Sequence, residues 1–383
     1  MPGSIAIARV FGIDIRIHLS WFLIFGLLLF TLSDPTGGLF RSLRPTWSDQ
    51  KLVIVSAVTA LLFFASVLSH ELAHALVARA FRMPVSSITL FLLGGVANLA
   101  KEPPSARAEF LMAAAGPATS LVLGGIGIAI AGFGSGVVTE FSALDPVLVI
   151  ANYLGYINVA LAIFNMIPGF PLDGGRVLRS IVWGIAHDRA RATGVAARGG
   201  QLVAGLLLLF GIWRIFAEND AFGGVWMGMI AYFLYNAASS SLEQERVASA
   251  VSGATVGPLM AQQFLSVHPR TPLAELVYGH LVPHNARAVA VVDGDRLTGL
   301  VTIADLQKVD QAAWPQTPVE EVMTPAAQLP AVSPTTKLMG AIEAFAASAL
   351  PVLPVMDAGR LVGMLDREAV ASYIRMRESL GLR

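Results

Sequence analysis

Residues 52–80 form one unbroken, largely apolar run, and it holds His70, Glu71 and His74 within five positions. A bilayer core is crossed by about 20 apolar residues in helical form. In lipid only a helix or a closed barrel satisfies every backbone N–H and C=O. The run must therefore be a helix if it spans. Ionisable groups in hydrocarbon are costly, and they are kept mainly where they line an interior site.

Composition supports a membrane chain. It is 55% hydrophobic and 14% charged, against about 25% charged in a soluble domain. The formal net charge is zero, so no global field attracts nucleic acid. There are no cysteines. Disulfides and thiolate metal sites are excluded, and any metal must use His, Asp or Glu.

Apolar runs predict six spans, at about 19–33, 52–80, 109–133, 147–168, 201–217 and 223–239. The first long run begins near His18 with no small-residue cleavage site after it, so no removable secretory leader is expected. A cytoplasmic N-terminus puts Arg9, Arg16, Arg79, Arg82, Lys101, Arg107, Arg176, Arg179, Arg189, Arg191 and Arg198 inside. It leaves Arg41, Arg44, Lys51 and Arg214 outside, with Glu140, Asp145, Glu218 and Asp220. The bias of Lys and Arg toward one side favours this orientation. Six spans then return the C-terminal part to the cytoplasm.

Two segments read as strands. Residues 4–17 alternate and hold β-branched residues, which predicts a hairpin. Residues 85–99 also read as strands, with Gly94 and Gly95 as a bend or bulge. A strand there has an unpaired edge able to accept another extended chain. His18 is expected at the membrane interface beside Trp21, and Met227 and Met229 are expected to pack.

Residues i and i+4 of a helix share a face. His70 and His74 can thus bind one zinc ion, with Glu71 within reach of a water beside it. The alternative is a polar cluster between helices. A catalytic zinc needs a third protein ligand and one open position. The segment FNMIPGFPLDGGRVLRS, residues 164–180, supplies Asp173 after a break at Pro168 and Pro171. Broken backbone at membrane depth is tolerated only inside protein or beside a water-filled cavity. Asp173 reads equally well as a cap of the helix that follows.

HELAH followed by NMIPGFPLDGG resembles the site-2 protease family of intramembrane zinc metalloproteases. The residues that carry the resemblance are His70, Glu71 and His74, then Asn165, Pro168, Leu172, Asp173 and Gly174. GGVANL and the AAAGPATS segment around Gly116 and Pro117 are similar to family features. The resemblance implies one zinc held by His70, His74 and Asp173, with Glu71 as the base that activates water and protonates the leaving amine. It implies a transmembrane helix of another protein as substrate, of the anti-sigma-factor or membrane-tethered-regulator type or a signal-peptide remnant. The substrate must unwind before attack, and Gly95, Val96, Ala97 and Asn98 are expected to hold it extended. Asn165 is expected either to position substrate or the oxyanion, or to bond a neighbouring helix.

The C-terminal part repeats itself. VVDGDRLTGLV at 291–301 matches VMDAGRLVGML at 355–365, and the spacing is about 64 residues. Each copy reads as an extended segment, a helix and two strands. The repeat resembles a tandem pair of CBS domains. That likeness implies an adenine nucleotide (ATP, ADP or AMP) touched by Thr302 and Asp305. The second copy departs from the pattern, with Asp366 and Ala369 at the equivalent positions. A packing module without ligand is the alternative, and a homodimer through the pair is a further expectation.

The fold class expected is a polytopic α-helical membrane protein with about six transmembrane helices and short membrane-associated β elements. A soluble α+β tandem CBS domain follows. The boundaries are 1–245 for the protease domain, 246–254 for a linker, and 255–315 and 316–383 for the two CBS domains. The expected place is the inner cell membrane, multi-pass, with both termini cytoplasmic. The partners expected are the bilayer and transmembrane substrates, with no nucleic acid. The competing function is a CBS-regulated metal-ion transporter or channel. It needs no carboxylate directly beside the first His, whereas a hydrolase does.

Overall fold

The computed structural model of the protein describes residues 3–92, 94–99, 102–135, 142–348 and 350–380, with the side chains of 98, 99, 135 and 378 left aside. Lys101 and Glu140 of the orientation argument, and the side chain of Asn98, lie outside the described residues. The chain divides into two compact units, Met1–Glu243 and Gln244–Arg383.

The first unit opens with the expected hairpin, β1 (Ser4–Val10) and β2 (Ile13–His18), paired antiparallel. Its two-residue turn has positive φ at Phe11 and Gly12, which a type I′ connection requires. Helix α1 (Ser20–Ser33) and the short α2 (Leu39–Leu43) follow. Helix α3 (Asp49–Ala80) carries the HELAH residues. The Ser48 hydroxyl accepts from the Lys51 N–H at its start, and Arg79 sits in its last turn, where a cation suits the helix dipole. Arg82 takes positive φ and Pro84 follows, so the helix cannot continue.

β3 (Val85–Phe91) then pairs parallel with β2 and antiparallel with β4 (Gly94–Leu99). The strand order is β1-β2-β3-β4, so β4 lies at an edge. The Gly pair opens β4 instead of bending a single run: Gly94 pairs with Phe91 and Gly95 with Leu90. The irregularity falls between Val85 and Ile88. Ile13, Ile15 and Ile88 of the sheet pack on Ala75 and Ala78 of α3 and on Met112. The sheet is thereby held against the half of α3 that bears the histidines.

Helix α4 (Ala106–Ser135) lies against α3 and against α5 (Asp145–Asn165). Gly124, Gly127 and Gly155 let α4 and α5 approach closely; a β-carbon on Gly127 would sit 2.6 Å from the Ala151 carbonyl oxygen. Small residues at such contacts are how membrane helices gain packing energy. α5 stops at Asn165, the loop through Pro168 and Pro171 intervenes, and α6 (Asp173–Ala186) begins. Helices α7 (Arg189–Ala217) and α8 (Ala221–Ala250) complete the unit's helices. α7 starts well before the apolar run near 201, because Asp188 caps it through the Arg191 N–H. α8 continues to Ala250, into residues expected to link the domains.

Among the described residues, α3, α4, α5 and α7 are long and apolar enough to cross a membrane. α1 is apolar but has 14 residues. α8 is longer, but its second half, from Asn236 on, is polar.

The second unit contains β5 (Ser266–Val267), the short helices α9 (Leu273–Glu275) and α10 (Val282–His284), β6 (Ala288–Asp293), β7 (Arg296–Thr302) and α11 (Ile303–Leu306). It continues with β8 (Thr324–Pro325), α12 (Leu338–Ser348), β9 (Val352–Asp357), β10 (Arg360–Asp366) and α13 (Arg367–Ser379). β6–β7 and β9–β10 are equivalent antiparallel pairs. Each turns through residues of positive φ, Gly294 in one and Ala358 and Gly359 in the other. The repeat in the sequence is thus a repeat of structure. The halves interlock: Ala261, ahead of the first copy's strands, bridges to Met364 of the second.

Candidate metal centre and active site

His70 and His74 lie one turn apart on α3, and their rings meet edge to face. The His70 Nδ1 is 2.9 Å from the Ser120 hydroxyl of α4. The His74 Nδ1 is 2.7 Å from the Met112 carbonyl oxygen, also on α4. Met112, Gly116 and Ser120 recur every four residues, so they form one stripe facing α3. This stripe sets the rings with their Nε2 atoms toward a common point.

Asp173 meets them there. Its Oδ2 is 3.0 Å from His70 Nε2 and 3.2 Å from His74 Nε2. Asp173 is the first residue of α6, and Leu172 is the N-cap, with no side-chain capping bond. The cap alternative is therefore not how this carboxylate is used. Among the described residues, His70, His74 and Asp173 form a group whose ligand atoms lie within 4.8 Å of one another.

The donor set fits a zinc ion. A carbonyl oxygen only accepts, so the His74 Nδ1 must carry its proton toward Met112. Its Nε2 lone pair then faces a carboxylate oxygen, and two acceptors at this distance need a cation or a proton between them. Ligand atoms of a tetrahedral zinc with bonds of 2.0–2.1 Å lie about 3.3 Å apart, close to the two separations between Asp173 and the histidines. Space is kept for the ion as well. A β-carbon on Gly116 would overlap the Nε2 atoms of both histidines.

Glu71 lies in the same cavity, of about 700 Å³, with Asn165 and residues 94–97 on its wall. A β-carbon on Gly95 would come within 2.9 Å of the Glu71 carboxyl carbon. The edge strand β4 thus passes directly over the carboxylate. Most of the remaining lining is apolar, from α1, α3, α5 and α8. Asn165, the last residue of α5, faces the cavity. Arg176, one turn beyond Asp173 on α6, also lines it. Sequence reasoning did not single out Arg176, although its i+3 spacing from Asp173 was a usable signal. The Met112 carbonyl had no signal, because every residue has one.

Behind the site, the buried Glu109 of α4 pairs with Arg179 of α6. The Arg179 guanidinium also stands over the Phe170 ring at 5.1 Å. Gly199 and Gly200 of α7 receive the loop before α6, and the Phe170 N–H donates to the Ala196 carbonyl.

In the second unit Thr302 and Asp305 are together. The Thr302 hydroxyl and N–H both donate to Asp305 Oδ2, at 2.8 and 3.0 Å, as part of a capping box on α11. Lys308 donates to Oδ1 at 2.8 Å. Partial burial alone would raise the Asp305 pKa, but Lys308 and Thr302 outweigh it and hold the carboxyl below its ordinary value. The second copy's Asp366 instead accepts the Glu368 N–H.

Comparison with known proteins agrees with both halves. The model of peptidase family M50 matches residues 58–151 and 135–209, and the CBS domain model matches 256–311 and 319–376. A Synechocystis sp. protein named "Putative zinc metalloprotease sll0528" is 33% identical over 98% of this chain and 96% of its own length. "Putative zinc metalloprotease Rip3" of Mycobacterium tuberculosis is 32% identical over 98% and 93%. The solved site-2 protease from Methanocaldococcus jannaschii is 27% identical, over 62% of this chain and 95% of that one, with a TM-score of 0.44. With the two family models and relatives 33% and 32% identical over 98% of its length, the chain belongs to peptidase family M50 and carries a tandem pair of CBS domains after its membrane-helix unit.

Proposed function

We propose that the protein is an intramembrane zinc metalloprotease that cleaves transmembrane segments of other proteins. The observation that carries this is the meeting of two Nε2 atoms and one carboxylate oxygen beside Glu71, under an open strand edge. His70, His74 and Asp173 hold the zinc. An ion held there would supply Lewis-acid polarisation of the scissile carbonyl and a water of lowered pKa. Glu71 takes the proton of the attacking water and delivers it to the leaving amine nitrogen. Ser120 and the Met112 carbonyl keep the imidazoles oriented.

A helical substrate must first unwind, because its peptide groups are shielded by their own hydrogen bonds. Residues 95–98 of β4 receive the unwound segment as an added strand. Asn165 orients it from the opposite wall. Six spans with cytoplasmic termini agree with the Lys and Arg distribution. The substrates are of the anti-sigma-factor, tethered-regulator or signal-remnant type, and adenine nucleotide at Thr302 and Asp305 regulates access. A homodimer through the CBS pair belongs to the same reading.

The test is zinc content together with cleavage of a transmembrane reporter in detergent or vesicles. Wild type should hold about one zinc per chain, as one three-ligand site requires. Asp173→Ala should lose it. Glu71→Gln should keep the zinc and lose cleavage by at least about a thousandfold, since it removes the proton-transfer group on which water attack depends. Cleavage by Glu71→Gln at the wild-type rate would remove Glu71 as the base, whereas a zinc-loaded wild type that cleaves nothing would sink the protease assignment and leave the transporter reading standing.

A further inference from the structure

Three arginines sit at the α6 end of the unit, and two are engaged. Arg179 pairs with buried Glu109. Arg189 pairs with Glu102. Arg176 lines the cavity with His70, Glu71, His74, Asp173 and Asn165, and it makes no ion pair among the described residues. It is half-buried. A guanidinium offers five N–H donors and no acceptor. Arg176 acts electrostatically on Glu71 and Glu102, but no ion pair or hydrogen bond of its own takes up its donors among the described residues, so they are open to a group that enters the cavity.

An unwound transmembrane segment brings the complementary chemistry. Each of its carbonyls has lost its helical partner, and an unsatisfied carbonyl away from water is costly. β4 pairs with one edge of such a segment. Carbonyls on the other edge, and at the bend around the scissile bond, still need donors. Arg176 is fixed one helical turn from Asp173, so its position is tied to the metal centre.

We propose that Arg176 is a substrate-positioning residue whose guanidinium donates to main-chain carbonyl oxygens of the unwound segment on the side not paired with β4. The inference rests on the protease reading above. It assigns Arg176 to binding and to the amount of unwinding, and not to the proton transfers of Glu71.

The experiment measures zinc content, kcat and KM for full-length wild type, Arg176→Ala, Arg176→Gln and Arg176→Lys with one transmembrane reporter. A second reporter carries a helix-breaking Gly-Pro near the cleavage site, so that it is already unwound. Arg176→Ala should keep its zinc and raise KM on the helical reporter by about tenfold or more, the usual scale for losing a charge-assisted hydrogen bond. kcat should stay within about threefold, as for a uniform binding interaction. Gln, which keeps two donors, should recover part of the loss, and Lys, which keeps the charge but not the fork, should recover less. The already unwound reporter should show a smaller KM difference. An unchanged KM, a loss confined to kcat, equal rescue by Lys or loss of zinc would each overturn the proposal. A wild type that cleaves neither reporter would instead refute the protease reading.

Discussion

Gly116 does for the metal centre what no side chain could. Its missing β-carbon is the space between the two Nε2 atoms. Gly116→Ala should therefore lower zinc affinity by at least about tenfold, in the range seen when groups supporting a metal site are removed. Zinc content after dialysis checks it, with circular dichroism to show that the helices remain. Retention of a full zinc would mean that α3 and α4 can separate at little cost. Ser120 acts in the same way at smaller scale, because it orients a ligand and is not one. The i,i+4 pair of histidines was legible in the sequence since helix geometry alone puts them on one face. Ser120 and Met112 were not, because their role exists only where a second helix is apposed.

At the scale of elements, the site is the junction of α3, α4, α6 and β4. Strand β4 gives two clean tests, since successive residues point their N–H groups to opposite sides. Proline at 96 and proline at 97 should differ: one removes an outward donor and the other breaks a bond to β3. Zinc should survive both. Cleavage should fall in both, and thermal stability only in the one that breaks the ladder. Unchanged cleavage in both would remove β4 from the substrate site. The Glu109–Arg179 pair clamps α6 to α4, with one buried partner. Breaking a buried pair by removing one member costs about 3–5 kcal/mol. Glu109→Ala should thus lower the melting temperature and weaken zinc binding through Asp173, measured by unfolding in detergent with and without added zinc. The hairpin β1–β2, the long apolar helices and the helix that follows Asp173 were readable from alternation, apolar runs and the break at the prolines, whereas the five-residue α2 was not. The start of α7 was not, because a polar cap at Asp188 and a run of small residues extend it beyond its hydrophobic stretch.

Over the whole molecule, zinc stabilises the unit that holds it by mass action. A chelator should abolish cleavage and lower the melting temperature of the membrane unit. Readdition of zinc should restore both. An adenine nucleotide that binds the CBS pair should raise the melting of that unit in the same way and change the cleavage rate. Thr302→Ala should destabilise the CBS unit by about 1 kcal/mol, the usual cost of an N-cap, whether or not nucleotide binds there. A titration with AMP and ATP that shifts neither melting nor cleavage would leave Thr302 and Asp305 as a capping box alone.

By itself, the sequence determined the elements and the chemistry available to them. Apolar runs set the membrane helices, helical spacing joined His70 to His74, and the absence of cysteine restricted metal ligands to His, Asp and Glu. The 64-residue repeat likewise announced a duplicated domain, because equal patterns fold into equal units. Only the tertiary structure decided what Asp173 does. A carboxylate at a helix start serves as a cap or a ligand with the same local sequence, and the choice depends on what stands opposite. Here α4 holds two imidazoles in place, α7 receives the loop before α6, and Asp173 is carried about a hundred residues along the chain to meet them. Long-range proximity of this kind is a property of packed helices, and no local pattern encodes it.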